Sequence, residues 1–490
     1  MNQRLVIDNF LGGLAPGRYI GDPQTQTDPS SAGWFPVHTA APDSGLNEIN
    51  VLQRGYQLDT ITNVSAIVGD VKWVRSFSRT GGSYAYLLSV NDGASANKNV
   101  LHRLDMSSAT VTNSGSWPHV LAANSDSLGL EFYTTSGTNY LYYAHGANLG
   151  RYDLNATFAD TFKTTLGTTC LGETIPHPMV QGNGKLFIGN SNYSANTACI
   201  ATLVDATFTE TALDLSATQQ IVRALEFNRN YLYIATASSS TSGSSYRSPA
   251  YLYIWDGVSS GWQEQYEFPE EDFTAIKAYN GQIYCWGRRG MYRFSGSGFD
   301  MIYPATAGPG YPSAVDISPN GFAYFKGTGN DGSAGIYAYG TPDPQLPPRM
   351  YRPYETNGGN ALALFWANNT NFYCAYSSGD RLRRFSSSGA SGYGTATWST
   401  PMMKFPQPAR LTSIQAFYQS LPTASAFTVS WTPNTSSAVV LMSVSTAGST
   451  SQKMHINGCI DDIWQLSITH TAGKTPKILS LIAEYEFEQD

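Results

Sequence analysis

Seven histidines supply the imidazoles that a metal centre or a general base would use: His38, His102, His119, His145, His177, His455 and His470. They stand far apart along the chain, and no HxH or HExxH spacing sets two of them on one ion. The five cysteines, Cys170, Cys199, Cys285, Cys374 and Cys459, are odd in number and contain no CxxC pair. That pattern indicates neither a zinc site nor a disulfide framework, and the cysteines read as small buried hydrophobes in strands. Glu270, Glu271 and Asp272 form the densest acidic group. Paired carboxylates could serve glycoside hydrolysis, but three adjacent acids after Pro269 read first as a solvated loop. The turns Val90-Asn91-Asp92-Gly93 and Gly329-Asn330-Asp331-Gly332 resemble fragments of calcium loops or Asp-box turns without their full spacing, and turn formation accounts for them. A P-loop motif is absent. The expectation is therefore a protein with no catalytic residues, no cofactor and no metal.

The elements that would carry such residues are strands. Only 13% of the 490 residues are charged, whereas aromatics reach 13% and glycines number 46. Aromatic and β-branched side chains suit a pleated surface, and Gly and Asn suit its connections. The formal charge of −7 is modest, and scattered basic residues give no footprint for nucleic acid. No apolar run approaches the ~20 residues of a membrane span. Only Leu5-Val6-Ile7 precedes Asp8, too short an apolar stretch for a signal peptide. Synthesis in a cytoplasm without export by that route is expected.

One pattern returns seven times: a turn or small polar residue leads into an aromatic-rich strand. Its last aromatics are Tyr86, Tyr142, Phe187, Tyr233, Tyr284, Tyr324 and Tyr373, at intervals of 40 to 56 residues. Such spacing fits four-stranded propeller blades. An alternating run precedes most anchors, as in Val71-Lys72-Trp73-Val74-Arg75, and a second short strand follows, as in Val100–Asp105. The anchors should fill the wedge between stacked blades. About seven blades are expected, within a range of six to eight. A short helix is an alternative for 201–220. The run Arg381-Leu382-Arg383-Arg384 should lie in the outer strand of the seventh unit, where charge guards an exposed edge.

Residues 1–65 lack the pattern and read as an extended arm. Within it, Glu48 to Leu58 is a candidate outer strand for the last blade, closing the ring. Residues 66–395 are the β-propeller. Residues 396–490, with strands expected at Arg410–Phe417, Ala426–Trp431, Ala438–Val444, Ile463–Thr469 and Ile478–Phe487, are a C-terminal β-sandwich. The fold class is all-β.

The opening Ile7-Asp8-Asn9-Phe10-Leu11-Gly12-Gly13-Leu14 is similar to the Asn-Phe-x-Gly-Gly start of many phage structural proteins. Together with Leu52-Gln53-Arg54-Gly55-Tyr56 before the first blade and the alternating last strand, the chain resembles bacteriophage tail-associated propeller proteins of the nozzle, minor-tail or tail-tip kind. The resemblance implies a non-enzymatic virion protein of the tail, assembling with copies of itself and other virion proteins in a ring or cap around the tail axis. It carries over no site residue. A host-surface glycan is a further possible partner, and the alternative function is a glycan-binding or glycan-hydrolysing propeller.

Overall fold

The computed structural model describes residues 3–7, 38–40, 57–59 and 64–488, apart from 68, 80–81, 91–97, 122–124, 165, 171–172, 193–196, 219, 239–248, 320, 330–333, 341–348, 356–360, 368–370, 378–381, 387–395, 400–402, 422, 424, 435 and 473–477. The described residues are nearly all strand; the helical turns among them are the 3-10 segments Val64–Ala66 and Pro312–Ala314. Two compact units divide the chain: Thr60–Gly332 with Gly358–Arg384, and Met1–Asp59 with Ser333–Asn357 and Phe385–Asp490.

Consecutive antiparallel meanders define the propeller. Blade 1 is Asp70–Arg79, Gly82–Val90, Val100–Asp105 and Thr110–Val111, with His119–Val120 also against its third strand. Blade 2 is Leu128–Thr135, Thr138–His145, Asn148–Tyr152 and Phe158–Lys163; blade 3 is Met179–Gly182, Lys185–Asn192, Thr197–Val204 and Thr207–Thr218. Blade 4 is Gln220–Asn228, Tyr231–Ser238, Tyr251–Trp255 and Glu264–Glu267, and blade 5 is Ala275–Tyr279, Gln282–Trp286, Gly290–Phe294 and Phe299–Ala307. Blade 6 opens with Val315–Ile317 and Ala323–Gly329, and blade 7 with Ala361–Ala367 and Asn371–Tyr376; within the other unit Ala334–Gly340 pairs with Arg349–Glu355. The first strands are neighbours in cyclic order, and that of blade 7 lies against that of blade 1. Closure of this kind leaves no open inner edge.

Period-2 alternation sends the two faces of each second strand to different neighbours. In Gly82–Val90, Ala85 and Leu87 join a core with Ala363, Phe365 and Tyr373 of blade 7, while Tyr86 and Leu88 join Leu128, Leu130 and Tyr152 of blade 2. The aromatic anchors share one direction. Tyr142 packs with Met179 and Ile188 of blade 3, Phe187 with Leu225 and Trp255 of blade 4, and Tyr373 with Val71 and Val74 of blade 1. Tyr324 meets Trp366 and Phe372 of blade 7 at ring distances of 5.2 and 5.1 Å. Six of the seven anchors are fully buried, and Tyr233 is half-buried. Their wedge-filling role follows from this geometry.

Two expectations need correction. The 201–220 stretch holds no helix: Thr207–Thr218 is the long outer strand of blade 3, paired with Thr197–Val204 through two bulges. Arg383 and Arg384 lie in the strand Leu382–Ser386, and Arg381 lies outside the described residues. In the C-terminal sheet two strands greatly outrun their expected lengths: Met403–Tyr418 has 16 residues and Ser451–Ala472 has 22.

That last strand explains the sandwich. Its first half pairs with Met403–Tyr418, which continues to Ile478–Phe487 and Gln3–Ile7; its second half pairs with Ala426–Pro433 on one side and Ala396–Ser399 on the other. One sheet thus folds into two layers around a shared strand. Leu411, Ile414 and Leu481 from one layer meet Phe427, Val429 and Trp431 from the other in a single core. The opening segment Gln3–Ile7 is a strand of this sheet, with Leu5 and Ile7 in its core. Of the proposed closing strand Glu48 to Leu58 only Gln57 and Leu58 are described, in the short strand Gln57–Asp59; Glu48 to Tyr56, Asp8 to Leu14 and the two Asn-Asp turns lie largely outside the described residues.

A recurrent turn follows the third strand of several blades. Asp105 Oδ1 accepts hydrogen bonds from the Ser107 and Ser108 amides, Asp153 Oδ1 from Asn155, Ala156 and Thr157, and Asp256 Oδ1 from Val258 and Ser259. Partial burial acts upward on the Asp153 carboxyl, but the Thr157, Asn155 and Ala156 amides outweigh it and hold it below its usual range. Asp153→Ala frees three amides and should cost blade 2 about 1–2 kcal/mol, comparable to losing a helix cap. A lowered urea midpoint with unchanged slope would register it, and an unchanged midpoint would reject it.

Candidate functional site

A charged belt runs around the innermost strands. Arg75 of blade 1 donates from Nε to Glu131 Oε2 of blade 2 at 2.8 Å, and Lys277 Nζ of blade 5 stands 4.0 Å from Glu226 Oε2 of blade 4. Asp316 of blade 6 accepts from its neighbour Ile317 and from the Trp366 amide of blade 7, and it feels both Lys277 and Arg75. Burial pushes the Glu226 and Asp316 carboxyls upward against the pull of these cations. Strand register places all five charges at one level. Arg75 faces Tyr86, Glu131 faces Tyr142, Glu226 faces Tyr233, Lys277 faces Tyr284 and Asp316 faces Tyr324, so each sits across from an aromatic anchor. Val180 and Phe365 occupy the same position in blades 3 and 7. The belt couples neighbouring blades by compensated charge, and removing one member would leave its partner unpaired at a large cost.

At one end of the ring the connections between blades form a groove. Its volume is about 510 Å³, and it is bordered by the links from blade 1 to 2 (Asp126), 2 to 3 (Thr174, Pro176), 4 to 5 (Asp272 to Thr274) and 5 to 6 (Thr306 to Pro312). Arg288 Nε and Nη2 both reach Asp272 Oδ2, at 2.9 and 2.8 Å, and Arg223 Nε stands 3.7 Å from Asp272 Oδ1. Across the groove Lys72 Nζ donates to Asp126 Oδ1 at 2.5 Å and lies 5.1 Å from the Tyr311 ring centre. Burial lowers the Lys72 amine, but Asp126 and Tyr311 more than offset it, and it stays above its ordinary value.

The acidic triplet is a solvated loop only at Glu271, which is exposed. Glu270 is half-buried, where burial pushes its carboxyl up, and it accepts the Arg289 amide at 2.8 Å. A methyl group on Gly287 would lie 2.3 Å from that carboxylate, so the turn closes directly over it. Asp272, 14% exposed, is the member that turns into the groove.

The histidines are less isolated in space than in sequence. His119 bonds to Asp160 Oδ1 at 2.8 Å and stacks on Phe158, Tyr143 Oη donates to the same Oδ1, and His145 Nε2 bonds to the Asp160 carbonyl oxygen. His177 is buried and bonds through Nδ1 to the Gly189 carbonyl. Among the described residues no three His, Cys, Asp or Glu side chains are placed to hold a metal ion, and no helix is long and apolar enough to cross a membrane. Cys199, Cys285, Cys374 and Cys459 are buried in strands, as small hydrophobes would be; the Cys170 side chain lies outside the described residues.

The belt and the groove were missed because their residues come from five or more blades. A signal existed: a charge interrupts otherwise apolar first strands in Val74-Arg75-Ser76, Leu225-Glu226-Phe227 and Ile276-Lys277-Ala278.

No protein-family description matches the chain, and no curated protein does. Solved structures share parts of its shape. The extracellular domain of the putative hybrid two-component system BT4673 from B. thetaiotaomicron is 10% identical, with a TM-score of 0.45 over 75% of this chain and 44% of that one. YCF48 bound to D1 peptide is 9% identical, with a TM-score of 0.44 over 68% and 95%. An exo-beta-1,3-galactanase from Phanerochaete chrysosporium is 11% identical, with a TM-score of 0.34 over 87% and 99%. At these scores the likenesses carry nothing about activity or partners.

Proposed function

We propose that this chain is a non-enzymatic structural component of a bacteriophage virion, part of the tail, acting by assembly with copies of itself and other virion proteins around the tail axis. The observation that carries the reading is the place of Gln3–Ile7. This segment, which runs straight into the phage-like Asp8-Asn9-Phe10-Leu11-Gly12-Gly13 stretch, is among the described residues a terminal strand of its sheet order, with Val6 47% exposed. A terminal strand presents unpaired backbone groups to which another chain can add. The charge belt supports a scaffold too, since its carboxylates are matched by cations across blade junctions. Sedimentation and electron microscopy of the purified chain test the proposal. Discrete rings, or incorporation into tails, are expected; a protein that stays monomeric at micromolar concentration and turns over polysaccharide would refute it.

A second reading, a glycan-binding or glycan-hydrolysing propeller protein, is favoured by the groove at the end of the ring, whose lining includes Lys72, Asp126, Asp272 and Arg288.

A further inference from the structure

We infer that the groove between the Lys72–Asp126 and Arg288–Asp272 pairs is a binding site for a neutral oligosaccharide. The inference deepens the glycan-binding reading and is independent of virion assembly. Its volume of about 510 Å³ is that of a small-ligand site. Its charges nearly cancel: Lys72, Arg223 and Arg288 face Asp126 and Asp272, and Glu270 continues beyond Asp272. Neither a polyanion nor a polycation is selected by such walls.

What the walls offer is hydrogen-bonding capacity held in place by the ion pairs. Arg288 directs Nε and Nη2 at Asp272 Oδ2, yet its side chain is 64% exposed, which leaves its other N–H groups facing outward. Asp126 gives Oδ1 to Lys72 and is 59% exposed, which leaves an acceptor on the opposite wall. Donors on one side and an acceptor on the other suit hydroxyl groups, which both donate and accept. Tyr311, half-buried in the same groove with Lys72 Nζ 5.1 Å from its ring centre, adds an aromatic surface with a polar end for the C–H face of a sugar ring. Fixed pairs lose little freedom on binding, so the site is formed before the ligand arrives.

Saturation-transfer NMR on the full chain tests this with glucose-, galactose- and mannose-based trisaccharides, and with a trigalacturonate as the charged counterpart. Wild type, Tyr311→Ala and Arg288→Met are compared, with thermal unfolding showing that each variant is folded. Expected are transfer to at least one neutral trisaccharide, a preference over the trigalacturonate, and at least a tenfold loss of affinity in both variants. Asp126→Asn should weaken binding by a smaller factor, because its amide keeps one acceptor oxygen. Absence of transfer to every neutral probe, binding that both folded variants retain, or a preference for the trigalacturonate would overturn the site. Rings without saccharide binding would remove the site and leave the virion role standing; saccharide binding by a chain that never assembles would do the reverse.

Discussion

Tyr86→Ala should cost the propeller about 3–5 kcal/mol, the range for emptying a buried large aromatic site. Tyr86 is 1% exposed and lies at the junction of blades 1 and 2, with ring centres of Trp117, Phe132 and Tyr152 at 5.7, 5.9 and 6.0 Å. Flanking first strands are tied together by the Arg75–Glu131 pair, so collapse into the void is resisted and the cavity persists. In urea the transition should move to a lower midpoint with its slope unchanged. A loss below about 1 kcal/mol would mean that the repeated aromatics do not fill the wedge between blades.

The second large effect is acid sensitivity at the junction of blades 2 and 3. His177 is wholly buried there. Its amide donates to the Leu128 carbonyl at 2.9 Å, and a methyl group on Gly129 would stand 1.8 Å from the His177 carbonyl oxygen, so the two backbones touch. Burial drives the imidazole down to about 4, only partly opposed by the Gly189 carbonyl that its Nδ1–H meets. The folded chain keeps His177 neutral while the unfolded chain takes up a proton below about 6.5, so stability falls as pH drops from about 6.5 to about 4 and then levels. The loss from this group is about 3 kcal/mol. Glu226 and Asp316 act with opposite sign: their folded values are raised, so acid protonates them first in the folded state and adds stability. His177→Gln separates the contributions. The variant should lose less stability than wild type between pH 6.5 and 4, and parallel pH profiles for the two would remove His177 as the cause.

The repeat was legible in the chain because wedge filling imposes the same demand on every blade. A large aromatic is required wherever a second strand meets the next sheet, and Tyr86, Tyr142, Phe187, Tyr324 and Tyr373 answer it. The C-terminal strands were legible in position for the same local reason. Their lengths were not, because Ser451–Ala472 remains one strand only by exchanging partners along its course, and alternation cannot register a change of neighbour.

The groove and the belt belong to the opposite case. Lys72, Asp126, Asp272, Arg288 and Tyr311 are spread over some 240 positions, and each looks like an ordinary surface residue in its own segment. Ring closure alone brings them together, since it sets the connections of distant blades around one axis. Glu270 and Asp272 show the same limit in a single triplet: sequence registered three acids in a row, while the turn at Gly287 and the guanidinium of Arg288 decided that Glu270 and Asp272 are half-buried and bonded and that Glu271 is exposed. Sequence by itself determined the all-β class, the repeat and its anchors, because these follow from alternation and local packing. Tertiary structure alone decided where charge meets charge, because that depends on which blades closure makes neighbours.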